Sequence, residues 1–283
     1  MTVGEAGRGY LELTRPGNVV AASVLTFIGA YVADGVTGDP GAVGAAVVAT
    51  ALAVGAGNAI NDYFDREIDR INQPDRPIPR GAVSPRGALG FSLVCFAVAV
   101  VFAITLPLTA IAIAAFNLLA LIAYTEYFKG LPGVGNALVS YLVGSTFLFG
   151  GAAVENVGPT VVLFALAATA TLTREIVKDV EDLDGDRAEG LNTLPIAVGE
   201  RTALGVGSVV LVCAVLASPL PYALGYFGIV YLVLVVPANI VMLYAAYESF
   251  QDPTAAQSHL KYGMLLATIA FVAGRVAVDF GVG

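Results

Sequence analysis

Long apolar runs alternate with short polar connections along the whole chain. Nine runs cover 17–34, 41–62, 88–105, 107–125, 134–153, 158–177, 202–218, 222–247 and 259–279. Each is close to the length of about 20 helical residues that crosses a hydrocarbon core of about 30 Å. Glycine and proline occur inside the runs, which membrane helices tolerate. The third and fourth are joined by a minimal Leu106-Pro107 turn, the seventh and eighth by Ser218-Pro219-Leu220-Pro221. The pattern predicts an all-α polytopic membrane protein. Its nine transmembrane helices form one bundle, a single membrane domain over 1–283 with no room for a separate soluble domain. No apolar stretch precedes Val19, so no cleavable signal peptide is expected.

Composition agrees. Apolar residues make up 57% of the chain and charged residues 13%, about half the charged share of a soluble domain. That excludes a disordered chain, a disulfide scaffold and a nucleic-acid binder. The lone histidine, His259, leaves nothing for a His-based zinc site or a Ser-His-Asp triad. Cys95 and Cys213 sit in apolar runs and read as small packing residues.

Charge position tests the span count. With the N-terminus in the cytoplasm, the inner segments hold Arg8, Arg15, Arg66, Arg70, Arg76, Arg80, Arg86, Lys129, Arg174, Lys178, Arg187, Arg201 and Lys261. The outer loops carry Asp34, Asp39 and Glu155 and no basic residue, and only Arg275 dissents. A wrong count would scramble this asymmetry, so the positive-inside rule predicts a multi-pass cell-membrane protein with its C-terminus outside.

The net charge is −8, a balance that fits a high-salt surface, but the acids are not scattered. Twelve of the 22 fall in segments 62–75 and 175–189. An offset of 117 residues carries Asp62, Asp65, Asp69 and Arg70 onto Asp179, Asp182, Asp186 and Arg187. The two sets lie an even number of spans apart and so on the same side. This predicts two parallel four-helix repeats followed by a ninth helix.

At 100° per residue, Asp62, Asp65 and Asp69 lie within about 60° of one another on one helix face, and Asn58 joins them. Asp179, Asp182 and Asp186 share that geometry. Carboxylates crowded in this way repel one another and persist where a cation neutralises them. An all-oxygen donor set suits a hard cation such as Mg²⁺, which takes carboxylates together with phosphate oxygens and water. A solvated acidic loop, or one neutralised by nearby arginines, is the plainer alternative for either motif alone. Arg15, Arg66, Arg70, Arg76, Arg80, Lys129, Lys178 and Arg187 flank the motifs. They read either as orientation signals near anionic lipid or as a phosphate clamp.

The segment Gly57-Asn58-Ala-Ile-Asn61-Asp62-Tyr-Phe-Asp65-Arg66-Glu67-Ile-Asp69-Arg70, with Pro74-Asp-Arg-Pro-Ile-Pro79 behind it, resembles the UbiA-type intramembrane prenyltransferases. Lys178-Asp179-Val-Glu181-Asp182-Leu-Asp184-Gly-Asp186-Arg187 looks like that family's second aspartate motif. Tyr124-Thr-Glu-Tyr-Phe-Lys129, Gly135-Asn136 and Leu13-Thr14-Arg15-Pro16-Gly17-Asn18 also fit, so the resemblance covers essentially the whole chain. It implies nine membrane helices around a central cavity open to lipid, and Mg²⁺-dependent transfer of a prenyl group from an isoprenoid diphosphate donor. Within the family the wording is closest to archaeal ether-lipid enzymes. Their donor is geranylgeranyl diphosphate, and their lipid acceptor is the free hydroxyl of geranylgeranylglyceryl phosphate. One departure stands out: many members carry an acid where this chain has Lys178.

By carry-over, Asn61, Asp65, Asp69, Asp182 and Asp186 are the metal ligands, with Asp62 and Asp179 either further ligands or supports behind them. The resemblance makes Arg15, Asn58, Arg70, Lys129 and Lys178 candidates for substrate contacts. Tyr124 is placed to face an allylic cation with its ring. Two other readings compete: the same chemistry on an aromatic or porphyrin acceptor, and a cation transporter. Transporters put charge near the bilayer midplane, whereas the acids here lie at span ends, which argues against transport.

Overall fold

The computed structural model describes residues 3–33, 35–128 and 130–281, with the side chains of Val3, Thr125 and Glu126 left out. All its regular elements are helical among these residues. In order they are α1 (Val3–Leu13), α2 (Pro16–Val32), α3 (Pro40–Phe64), α4 (Arg66–Asn72), α5 (Pro85–Ala103), α6 (Leu108–Ala123), a wider π-helical turn (Tyr124–Phe128), α7 (Val134–Ala153), α8 (Gly158–Glu181), α9 (Leu183–Ala188), α10 (Leu194–Val198), α11 (Glu200–Ala217), α12 (Leu220–Ala223), α13 (Ile229–Glu248) and α14 (Pro253–Asp279).

Each of the nine apolar runs contains one main helix, but the run 222–247 opens in α12 and a turn before α13 begins at Ile229, and the run 107–125 ends in the π-helical turn. Among the described residues seven helices are long and apolar enough to cross a membrane: α3, α5, α7, α8, α11 taken on through α12, α13 and α14. The apolar α2 and α6 are shorter, at 17 and 16 residues. Large apolar side chains stand exposed along these helices, Leu108 at 80% and Leu216 at 76%. In water such a surface would aggregate; in lipid it is the outer wall.

Three helix starts follow one rule. Asp39, Ser84 and Asp252 each accept a hydrogen bond from the backbone N–H three residues on, at 2.9, 3.0 and 3.0 Å. In each case proline comes next, pre-set in φ and with no N–H to satisfy.

The chain packs as two compact units. The first is Met1–Ala115 with Phe149–Glu155, the second Phe116–Leu148 with Asn156–Gly283. In the first, α3 packs against α2 and α5. The Thr26 and Thr50 hydroxyls, both buried, hydrogen bond at 3.0 Å, and Ser92 donates to the Ala56 carbonyl at 2.8 Å. Such bonds between membrane helices are worth roughly 0.6 kcal/mol each. Gly150 lets the end of α7 reach α2: a Cβ there would stand 2.1 Å from the Thr26 carbonyl oxygen. The amphipathic α1, which hydropathy alone does not reveal, buries Leu13 against Ala59, Ile78, Val83 and Ala88. In the second unit α13 lies along α14, and α8 packs on α11 and α14. Thr173 donates to the Gly207 carbonyl at 2.9 Å across the α8–α11 contact, and Tyr231 to that of Ser218 at 2.6 Å.

Candidate active site

Both aspartate motifs sit at the same kind of joint. The long helix α3 ends at Phe64 and α4 begins at Arg66, with Asp65 between them at φ −81° and ψ 1°. The long helix α8 ends at Glu181 and α9 begins at Leu183, with Asp182 between them at φ −88° and ψ 6°. The i→i−4 backbone bonds run on through both joints. The Asp65 and Asp69 amides donate to Asn61 and Asp65, and the Asp182 and Asp186 amides to Lys178 and Asp182, all at 2.9 Å. The 117-residue offset in sequence is thus matched in local backbone geometry. The expectation of one unbroken helix per motif needs correction: each middle aspartate occupies a hinge. α3 and α8 also run two and four residues past their apolar runs, so Asp62 and Asp179 belong to the last turn of a long helix.

In the first unit the motif is built around arginine. Asp62 and Asp69 are buried, at 3% and 4% exposure. Arg15 Nη2 donates to Asp62 Oδ1 at 2.6 Å. Arg76 Nη1 donates to Asp69 Oδ2 at 2.6 Å and reaches Asp62 Oδ1 at 3.4 Å. Arg15 itself holds a left-handed backbone, φ 49° and ψ 74°, ahead of Pro16, a conformation that costs a non-glycine residue energy unless its surroundings fix it. The surroundings come from α3: Asn58 Nδ2 donates to the Thr14 carbonyl at 2.8 Å and Asp62 takes the guanidinium. Asn61 and Asp65 are half-buried beside them. Arg70 is not part of this group, because it is exposed and paired with Glu67 at 2.6 Å. In the same unit Glu12 binds Arg80 and Arg8, which hold its carboxyl below the usual range.

In the second unit Asp179 Oδ2 accepts from Asn136 Nδ2 of α7 at 2.8 Å. Asp182 is half-exposed, with Lys178 Nζ 4.0 Å away. Burial, aided by the charges of Asp182 and Glu189, pushes the Asp186 carboxyl up. Acid outweighs base here, with Asp182, Asp184, Asp186 and Glu189 against Lys178 and Arg187. Oxygen donors with uncompensated charge fit a hard divalent ion. The first motif fits it through Asn61 and Asp65, since Asp62 and Asp69 already hold arginines. Among the described residues no three His, Cys, Asp or Glu side chains converge as a preformed metal cage.

Tyr124 opens the π-helical turn and is half-buried; such turns gather at functional positions. Lys129 and Asp34 lie outside the described residues. Three residues have partners that the sequence did not assign: Arg76, which bridges two aspartates; Asn136, which holds Asp179; and Arg174, which pairs with Glu175 at 2.7 Å. Glu175 stands where the offset places Asn58, so the repeat already pointed to it.

A helical membrane chain with two matched aspartate hinges is the architecture of an intramembrane prenyltransferase. The model of the UbiA prenyltransferase family matches residues 22–271, and the chain belongs to that family. It is similar to the digeranylgeranylglyceryl phosphate synthase of Natronomonas pharaonis, 66% identical over 275 residues that cover 97% of this chain and 99% of that protein. Its fold is similar to a solved structure of a membrane digeranylgeranylglyceryl phosphate synthase, with TM-score 0.85 and 36% identity over 96% of this chain and 99% of that one. A UbiA homologue from Archaeoglobus fulgidus bound to GPP and Mg²⁺ shares the fold at TM-score 0.74 and 17% identity, covering 95% and 99% of the two chains.

Proposed function

We propose that this prenyltransferase moves a geranylgeranyl group from geranylgeranyl diphosphate to the free hydroxyl of geranylgeranylglyceryl phosphate, forming the second ether bond of an archaeal membrane lipid. The observation that carries the reading is the 66% identity, over 97% of the chain, to a protein named for that product. The paired hinges supply the chemistry. Asn61, Asp65, Asp182 and Asp186 are the oxygen donors for Mg²⁺, Asp69 is held by Arg76, and the two motifs serve one departing diphosphate. When bound, the metal supplies Lewis-acid stabilisation of the charge that develops on that leaving group. Asp62 and Asp179 do different work. Each is a helix-end carboxylate already held by a neighbour, and each fixes the direction of the hinge one turn on.

Arg15 and Arg76 carry positive charge at the first hinge, which lowers the cost of bringing phosphate oxygens there. The apolar spans exclude water, so the allylic cation is not lost to hydrolysis. Tyr124 offers a ring face to that cation. The acceptor hydroxyl attacks and passes its proton to the diphosphate or to a motif carboxylate. We further propose that α2 and α6 cross the membrane with the seven longer helices, giving nine spans around a central cavity and one functional domain. Transfer by the purified protein should stop with EDTA and return with Mg²⁺, and Asp182→Ala should lower the rate by a factor of about 10³ or more. Full transfer in chelator would overturn the metal assignment.

A further inference from the structure

The offset of 117 residues that relates the two motifs extends past their aspartates: it carries Arg76 onto Thr193. At the first hinge Arg76 Nη1 donates to the last aspartate of the motif, Asp69, at 2.6 Å. Thr193 follows Asp186 by the same interval, and the fold returns it there. A glycine cap ends α9. Gly190 takes a left-handed backbone at φ 73°, its N–H donates to the Arg187 carbonyl at 3.1 Å, and the Leu191 N–H donates to that of Asp186 at 3.0 Å. This pair of bonds reverses the chain beside Asp186. The Asn192 N–H then donates to the Gly130 carbonyl at 3.1 Å and pins the returning segment.

Thr193 opens α10, where a threonine hydroxyl ordinarily caps the backbone N–H two or three residues on. Two residues on stands Pro195, which has no N–H, and the hydroxyl makes no cap bond. Thr193 is buried, at 6% exposure, and its hydroxyl closes no hydrogen bond among the described residues. It faces the Asp186 carboxyl and favours that group's charged form. An ionised carboxylate only accepts, so the hydroxyl is the donor. Hydrogen bonds in such sites are often loose until a ligand arrives, and then tighten. The two counterparts differ in one respect. Arg76 neutralises Asp69, whereas Thr193 is uncharged and leaves Asp186 its negative charge. A carboxylate that is oriented without being neutralised is suited to a metal ion.

Building on the reading of Asp186 as an Mg²⁺ donor, we infer that Thr193 is the positioning residue of the second hinge, donating its hydroxyl proton to one Asp186 oxygen and leaving the other for the metal. It stands where Arg76 clamps Asp69 at the first. One repeat thus closes its last aspartate with a cation of its own, and the other keeps its last aspartate for a cation from solution.

Mg²⁺ alone is the probe, with neither substrate present. The unfolding temperature in detergent is followed against Mg²⁺ concentration for wild type, Thr193→Ser, Thr193→Val, Arg76→Met and Asp186→Asn. Thr193→Val keeps the volume and loses the donor, whereas Thr193→Ser keeps the donor. Thr193→Val should raise the half-saturating Mg²⁺ concentration about tenfold, and Thr193→Ser should stay within about twofold of wild type. Arg76→Met should move it the opposite way, because it frees Asp69 for the ion. A hydroxyl that served packing alone would lower the unfolding temperature in EDTA and leave the half-saturation where it was. Thr193→Ala, set against Thr193→Ser, carries the same comparison should the valine variant not fold. An unchanged half-saturation on loss of the hydroxyl, or a Thr193→Ser as impaired as Thr193→Val, overturns the inference. No Mg²⁺ response in wild type, or Asp186→Asn binding as tightly as wild type, overturns the metal reading as well, whatever the threonine variants do.

Discussion

Arg76 is the most sharply testable element of the first hinge. Its Nη1 is 2.6 Å from Asp69 Oδ2 and 3.4 Å from Asp62 Oδ1, and the two carboxylates are 6% and 4% exposed. Arg76→Met removes the cation and keeps the aliphatic stem. Asp62 retains Arg15, whereas Asp69 loses a short charge-assisted bond while staying buried. Breaking a buried pair costs about 3–5 kcal/mol. Arg76 is itself 30% exposed, so water screens part of the loss and we expect about 3 kcal/mol, at the low end. For a chain of this size that lowers the unfolding temperature by roughly 6 °C. The assay is thermal unfolding in detergent, in EDTA, of wild type, Arg76→Met, Asp69→Asn and the double variant. Neutralising both partners should recover most of the loss, because no unpaired buried charge remains. Added Mg²⁺ should stabilise Arg76→Met more than wild type, since a divalent ion can take the vacated place beside Asp69. A loss in Arg76→Met below about 0.5 kcal/mol, the level of an exposed pair, or additive single and double variants, would mean that Arg76 does not neutralise Asp69.

The second hinge and the topology give further tests. The Asp186 carboxyl is pushed up by burial, then by the negative charges of Asp182 and Glu189. The folded state therefore holds this proton more tightly than the unfolded chain does. In chelator, stability should fall as pH rises from the ordinary carboxylate range through the raised value. Asp186→Asn should flatten that part of the profile, and a profile identical to wild type would contradict the assignment. Proton and metal compete for the same oxygens, so divalent-ion affinity should climb over the same interval in wild type. In a background without Cys95 and Cys213, cysteines at positions 156 and 188 should react with impermeant reagent from opposite sides of the membrane; labelling of both from one side would break the inside-positive orientation.

What the sequence disclosed and what it hid have physical reasons. The helix starts at Asp39-Pro40, Ser84-Pro85 and Asp252-Pro253 carry a local mark, a capping side chain before proline, yet the apolar runs begin only at 41, 88 and 259, because hydropathy does not register a polar first turn. The repeat was legible because a constant offset survives folding. The hinges at Asp65 and Asp182 were not, since the i→i−4 bonds continue through them and no glycine or proline marks the break. Nor was the role of Arg76. It lies 14 residues from Asp62, a separation with no helical meaning, and reaches back only because the chain after α4 folds over the hinge. Arg70 shows the reverse error: adjacent to Asp69 in sequence, it points to the outer face and pairs with Glu67. Arg15 was found by resemblance, and its left-handed turn explains why Asn58 and Asp62 must stand one helical turn apart.

The acceptor decides which prenyltransferase this is. Purified protein in detergent with Mg²⁺ and geranylgeranyl diphosphate should be offered geranylgeranylglyceryl phosphate, geranylgeranylglycerol and 4-hydroxybenzoate together, with products resolved by mass. Digeranylgeranylglyceryl phosphate should be the dominant product, with kcat/KM for the phosphorylated acceptor at least about tenfold above that for the alcohol, the value of one charge-assisted contact. Equal use of the two glycerol lipids, or robust prenylation of the aromatic acid, would contradict that assignment of the acceptor.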